Sequence, residues 1–190
     1  MSSDPYTLSR SELVDKHHQL EREGRYQEKH LCDAIEFLLR EHTIPFEREY
    51  RFPSDPLLLS SSGKGNAGHR VDFYLPDCDA AVEVKSGKPS SFRGLGQAKY
   101  YSLFASESLL ISEELHRPSY EAVQSMPNVS YGVIDLALMS DKCGIEISGA
   151  GNSQFVADNS GGCGSDTTGP LFCCTELDIN RQQQLEVADE

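Results

Sequence analysis

The sequence predicts an α/β fold, a mixed central sheet with helices on both faces. Three observations predict it. Residues 26 to 42 form an amphipathic run, with Leu31, Ile35, Leu38 and Leu39 on one stripe at helical spacing. His69 to Leu75 and Ala80 to Lys85 are two short β-branched and aromatic runs joined by a Pro76-Asp77 turn, which reads as a hairpin. After Lys85, helical and strand-like runs alternate, the pattern of parallel additions to a sheet.

Taken in order, residues 5 to 23 carry a first helix that Thr7 or Ser9 caps and Gly24 ends. His17 and His18 lie in it side by side. Adjacent residues do not face one another on a helix, so they are not read as a metal pair. The amphipathic helix 26–42 follows. Pro45 to Phe52 alternates aromatic and charged residues as a half-buried strand. Ser54 to Gly68 is loop-like, with Leu57 to Leu59 as a short strand inside it. Its Ser-Gly-Lys-Gly core lacks the glycine spacing and the Lys-Ser/Thr pair of a phosphate-binding loop. Beyond the hairpin come a helix from about Leu95 to Ala105, a strand at Glu107 to Ser112, a helix at Ser119 to Gln124 and a strand at Val129 to Leu136. Cys143 to Ile147 offers one last edge strand. The expected organisation is an N-terminal helical extension over residues 1–25, one domain over 26–147, and a Gly-, Ser- and Cys-rich acidic tail over 148–190 that is partly flexible.

The chain has 190 residues, 38% of them apolar, enough for one core plus tails. No run approaches the ~18 apolar residues of a membrane span, and the N-terminus has no signal-like apolar stretch. A soluble, intracellular, cytoplasmic protein is expected. The net charge is −13. It is unevenly spread: residues 64 to 99 hold Lys64, Arg70, Lys85, Lys88, Arg93 and Lys99 against Asp72, Asp77, Asp79 and Glu83. The acidic remainder reads as an aid to solubility or as adaptation to a high-salt cytoplasm. The locally basic stretch is the place to look for a polyanion contact.

That stretch also carries the chemistry. Side chains alternate along a strand, so Glu83 and Lys85 share one face. An acid inside Ala80 to Lys85 needs a partner, because burying a lone charge is costly. A divalent cation is such a partner: Mg²⁺ or Mn²⁺ takes oxygen ligands, and Asp72 and Glu83 present two from adjacent strands. Lys85 beside such a metal orients or helps deprotonate a water. Together these are the parts for phosphodiester hydrolysis. Lys88 and Arg93 are phosphate contacts, with Arg70 and Lys99 in the same basic stretch. Gln97 and Tyr101, four apart, share a helix face. They either address the metal or phosphate, or Tyr101 is a core aromatic beside Leu103 and Phe104. Glu28, on the edge of the apolar stripe, is either a helix-dipole acid or a further site carboxylate, with Glu36 as the alternative.

Asp72, then Glu83-Val84-Lys85 after ten intervening positions, then Gln97-Ala98-Lys99-Tyr100-Tyr101, resemble the motifs of the PD-(D/E)XK nuclease superfamily, in its RecB-like, restriction-endonuclease-like branch. The resemblance covers roughly residues 26 to 137, and it departs from the pattern in having Val71 rather than Pro before the Asp. It implies a restriction-endonuclease-like three-layer core, a metal-dependent deoxyribonuclease, and DNA as partner, with a homodimer common among relatives. It also implies the Val84 carbonyl as a further metal ligand and Glu28 as the upstream Glu. Some RecB-like nucleases bind an iron–sulfur cluster through four Cys. The spacings of Cys143, Cys163, Cys173 and Cys174 do not match regular ligand pairs, so neither a cluster nor Zn²⁺ is expected. The competing reading is a non-catalytic nucleic-acid-binding or scaffold protein that keeps the fold.

Overall fold

The computed structural model describes residues 8–52, 70–86, 91–114, 116–134, 145–148 and 172–175. The chain opens with α1 (Arg10–Arg22), capped by Ser9 in a reciprocal box: the Ser9 N–H donates to the Glu12 carboxylate at 2.7 Å, and the Ser9 hydroxyl accepts from the Glu12 N–H. Gly24, at φ +64°, takes the left-handed turn between helices. The second helix, α2 (Glu28–Glu41), buries the expected stripe of Leu31, Ile35, Leu38 and Leu39. Arg10 clasps Glu41 at 2.6 Å and closes the helical pair.

The strands are β1 (Glu47–Arg48), β2 (Phe73–Leu75), β3 (Ala80–Lys85), β4 (Glu107–Ser112), β5 (Val129–Val133), β6 (Ile145–Ser148) and β7 (Phe172–Thr175), with α3 (Ser91–Tyr101) and α4 (Arg117–Val123) between them. The described strands lie in one sheet in chain order. β1, β2 and β3 are successively antiparallel, β3, β4 and β5 parallel, β6 antiparallel to β5 and β7 parallel to β6. The expected hairpin (β2–β3) and the parallel additions of β4 and β5 are present, β6 departs from that pattern, and the whole is a mixed α/β sheet with an antiparallel meander β1–β3 at one edge.

Alternation along the strands sorts the cores. Ala80, Val82, Val84, Leu109 and Ile111 pack with α1 and α2 on one face. Leu110, Val129, Tyr131 and Val133 pack with α3 and α4 on the other. The helices of the two parallel crossovers, α3 and α4, both lie on this second face, which leaves the first to α1 and α2. Leu13 and Val14 of α1 lie in the same core cluster as the buried stripe of α2. Of the tail expected beyond residue 148, Phe172–Thr175 forms β7.

Three local expectations are corrected. The strand expected over Pro45 to Phe52 is only Glu47–Arg48, with both residues exposed. Glu49 adopts φ +54° and interrupts it, and the pairing resumes at one bridge, Arg51 to Arg70. The strand expected over His69 to Leu75 is Phe73–Leu75, so Asp72 precedes it, in a bend directly across from Glu49, whose N–H donates to the Asp72 carbonyl at 2.8 Å. Glu36, the alternative to Glu28 as a site carboxylate, is instead taken up by arginines of α2 and β1. It is 2% exposed and accepts from Arg40 at 2.9 Å and Arg48 at 2.7 Å. Arg48 reaches Asp33 as well, at 2.9 Å, so one guanidinium ties β1 to two turns of α2. Leu57 to Leu59 lies outside the described residues.

Removing that tie has a predicted cost. Arg48→Met leaves a buried carboxylate with one partner fewer, and about 1–3 kcal/mol of stability is expected to go, because hydrogen bonds to charged groups are worth more than neutral ones. Urea unfolding reads this as a lower midpoint at unchanged slope.

Candidate active site

The site is built where the meander gives way to the parallel strands, at the carboxyl end of β3. Asp72 reaches it because the chain bends there. The β2–β3 ladder runs from Leu75↔Ala80 to Phe73↔Val82 and stops. The Asp72 carboxylate then accepts the Val84 N–H at 2.7 Å, a side chain standing where a strand carbonyl would be. This bond holds one carboxylate oxygen against β3, between Glu83 and Lys85 in sequence.

Glu83 and Lys85 lie on the α3 face, 2% and 7% exposed. The Lys85 Nζ donates to Glu83 at 2.6 Å and to the Val84 carbonyl at 2.9 Å, and stands 3.5 Å from Glu28. Glu28, in the first turn of α2, is half-buried and reaches the same ammonium across the end of the strand. Asp72, Glu83, Glu28, Lys85 and the Val84 carbonyl are thus brought together from three separate elements.

Three carboxylates share one ammonium, and the electrostatics follow. Burial and then the Asp72 carboxylate push the Glu83 carboxyl up to about 7, against the pull of Lys85. Burial raises the Asp72 carboxyl too, opposed by the Val84 N–H. Burial works against the Lys85 ammonium, but Glu83, Glu28 and Asp72 outweigh it, and the lysine titrates above its ordinary value. Lys85 therefore stays charged at neutral pH. The surplus of negative charge is a site short of a cation.

Gln97 and Tyr101 divide the roles expected of them. Tyr101 is a core aromatic, packed with Phe52, Val71, Ala81 and Ala105. Its hydroxyl donates to the Arg70 carbonyl at 2.7 Å, which ties α3 to the segment that delivers Asp72. Gln97 hydrogen-bonds the same phenol. The Gln97 carbonyl oxygen is buried and has no partner. Burial raises the Tyr101 phenol to about 12, with Glu83 and Asp72 near enough to contribute. The Gln97 amide thus reaches Tyr101 with one group and keeps a buried oxygen without a partner.

The donor set suits a hard divalent cation: the Asp72 and Glu83 carboxylates and the Val84 main-chain carbonyl, all oxygen atoms. Among the described residues, no three His, Cys, Asp or Glu side chains already surround one point.

The expected nucleic-acid contacts are less gathered. Arg93 is exposed on the first turn of α3, and Lys99 is half-buried on its last. Arg70 is exposed, with its guanidinium 3.5 Å from Glu49. Lys88 and the side chains of Cys143, Cys163, Cys173 and Cys174 lie outside the described residues. Two residues escape the sequence reading. Cys32 stands one helical turn after Glu28, buried, and burial with the nearby Asp72 carboxylate pushes its thiol up. The four-residue spacing from Glu28 is the signal that places it there. Gly94 packs directly on the stem of Lys85. Its signal is the three-residue step to Gln97 on the inner face of α3.

No family model, curated protein or solved structure matches the chain. The chemistry of the site rests on its own residues. No helix among the described residues is long and apolar enough to cross a membrane.

Proposed function

We propose that the protein is a metal-dependent deoxyribonuclease of the PD-(D/E)XK kind, with a restriction-endonuclease-like core, that hydrolyses phosphodiester bonds in DNA. The observation that carries this reading is the convergence of Asp72 and Glu83 on either side of the Val84 peptide with the Lys85 ammonium 2.6 Å from Glu83. Asp72, Glu83 and the Val84 carbonyl would hold Mg²⁺ or Mn²⁺, with Glu28 behind them. When bound, the metal supplies Lewis acidity and a water of lowered pKa. Lys85 stays protonated through its carboxylate partners, orients the nucleophile and stabilises the charge that develops on the phosphate. Gln97, bonded to Tyr101, would offer its unpaired oxygen to a water. Tyr101 fixes α3 against the Asp72 segment. Arg93, Lys99, Arg70 and Lys88 would meet the phosphate backbone and position it.

The test is incubation with supercoiled, linear, single-stranded and branched DNA in Mg²⁺, Mn²⁺ or Ca²⁺ across a range of salt. Cleavage with Mg²⁺ or Mn²⁺ is expected, with Ca²⁺ supporting binding and little turnover, because its looser coordination orients water less well. DNA binding without cleavage under every condition would instead make the chain a scaffold.

Metal affinity is predicted to depend on pH in a definite direction. The Glu83 carboxyl moves from 4.5 to about 7 on folding, so below pH 7 a proton competes with the metal. Mn²⁺ binding is expected to tighten as pH rises through about 7 and to release a proton there. Without metal the sign reverses. The folded state holds more protons than the unfolded chain between 4.5 and about 7, so stability falls as pH rises through that window. Isothermal titration at pH values on both sides of 7, with paired melts in chelator, reads both effects. An affinity that is flat with pH would remove Glu83 from the metal.

A further inference from the structure

We propose that Gly94 is a positioning residue: the missing side chain at this point of α3 is what lets the Lys85 ammonium stand between Glu83, Glu28 and the Val84 carbonyl. The consequence for catalysis rests on the nuclease reading above, whereas the placement of the ammonium does not.

Lys85 ends β3 with its side chain on the α3 face, and the first turns of α3 cross over it. Gly94 is buried at that crossing. A Cβ added there would lie 2.7 Å from the Lys85 Cγ, 2.9 Å from the Leu110 Cδ1 and 3.5 Å from the Lys85 Cδ. The first two distances are closer than carbon atoms approach without something moving. Leu110 yields readily, because a Cδ is the free end of a side chain. The Lys85 Cγ does not. It hangs from a Cβ fixed by a strand paired with Ser112 on one side, and it moves only if χ1 leaves its staggered well or the helix backs away. Either movement is carried through the stem to Nζ. Contacts at 2.6 and 2.9 Å do not survive a displacement of that kind.

The helix itself gives no reason for glycine at this position. Gly is disfavoured inside helices relative to Ala. Gly96, two residues on in the same helix, has nothing within 4 Å of the Cβ it lacks. The two glycines therefore form a built-in comparison, one pressed on the lysine and one facing open space. Gly94, Gln97 and Tyr101 also follow one another at three- and four-residue steps, so a single face of α3 seats the lysine, offers the free amide oxygen and anchors the Asp72 segment.

The experiment compares wild type, Gly94→Ala and Gly96→Ala by trace acetylation with acetic anhydride, each lysine being quantified by peptide mass spectrometry, alongside thermal melts. Single-turnover cleavage and DNA affinity in Mn²⁺ are measured on the same samples. Gly94→Ala is expected to acetylate Lys85 several-fold faster, as the amine leaves its carboxylates, with the other lysines unchanged. Cleavage is expected to fall about a hundredfold at unchanged affinity, the order of loss that a misplacement of about 1 Å produces. Gly96→Ala is expected to match wild type in both. If Gly94→Ala does not fold, Gly94→Ala combined with Leu110→Val, which withdraws the second contact, is read in its place. Lys85 labelling at the wild-type rate in the folded Gly94 variant, or an equal rise in Gly96→Ala, overturns the proposal. A wild type that cuts no DNA overturns the nuclease reading while leaving the labelling result to decide the role of Gly94.

Discussion

Glu83→Gln is expected to abolish metal-dependent cleavage and to leave the fold standing. The amide keeps the shape of the carboxylate in a site where Glu83 is 2% exposed, so no cavity opens. What goes is one of three negative charges gathered on Lys85. Asp72 and Glu28 remain to face the ammonium, so the substitution does not leave it buried alone. Burial already pushes the Glu83 carboxyl up to about 7, which means that the ionised form is held at a cost in the protein without metal. Removing it is therefore expected to leave the melting temperature unchanged or raised in chelator, and to remove the rise that Mn²⁺ brings. Metal catalysis supplies several kcal/mol of transition-state stabilisation, so a loss on the order of 10³-fold or more in single-turnover rate is expected. Asp72→Asn shares the loss of rate but not the neutral stability. Its carboxylate also accepts the Val84 N–H at 2.7 Å, and an amide accepts that bond less strongly. Wild-type cleavage by Glu83→Gln would place the chemistry elsewhere on the chain.

Lys85→Ala is expected to lower the single-turnover rate by orders of magnitude while DNA affinity changes little. The ammonium is 7% exposed and its three contacts are all within the protein, so it contributes little to holding DNA in the ground state. On the proposed mechanism its charge acts where negative charge develops, and interactions made mainly in the transition state appear in the rate. Lys85→Arg is not expected to rescue it. The guanidinium is larger and planar and does not replace a compact ammonium held between Glu83, Glu28 and the Val84 carbonyl. Arg93→Ala supplies the contrast: an exposed cation on the first turn of α3, whose loss is expected to weaken binding and reduce its salt dependence by about one counterion, with the bound complex still cutting. Measuring rate and affinity for both variants at two salt concentrations separates the roles. If Lys85→Ala weakened binding and left the bound rate intact, the lysine would be a phosphate clamp.

Much of this molecule follows from local pattern. The stripe of Leu31, Ile35, Leu38 and Leu39 is periodic enough to define α2. The alternation in Ala80 to Lys85 places Glu83 and Lys85 on one face, because side-chain direction on a strand is a matter of parity alone. The hairpin and the later parallel strands follow from turn residues and from the alternation of helical and strand-like runs. What the sequence by itself left open depends on contacts between distant residues. Whether Glu28 or Glu36 joins the site turns on where β1 and β3 pack against α2. Arg48 arrives from β1 and claims Glu36, and Lys85 arrives from β3 and meets Glu28. Tyr101 carries the same residues whether it faces metal or core, and only the nearness of the Arg70 carbonyl gives its hydroxyl a structural partner. Asp72 reads as part of a strand by composition, yet it leaves the ladder because Glu49 across from it takes a left-handed turn. Gly94 has no side chain to show in any pattern. Its meaning comes entirely from the 2.7 Å that separates its missing Cβ from Lys85, a distance that exists only once α3 has crossed β3.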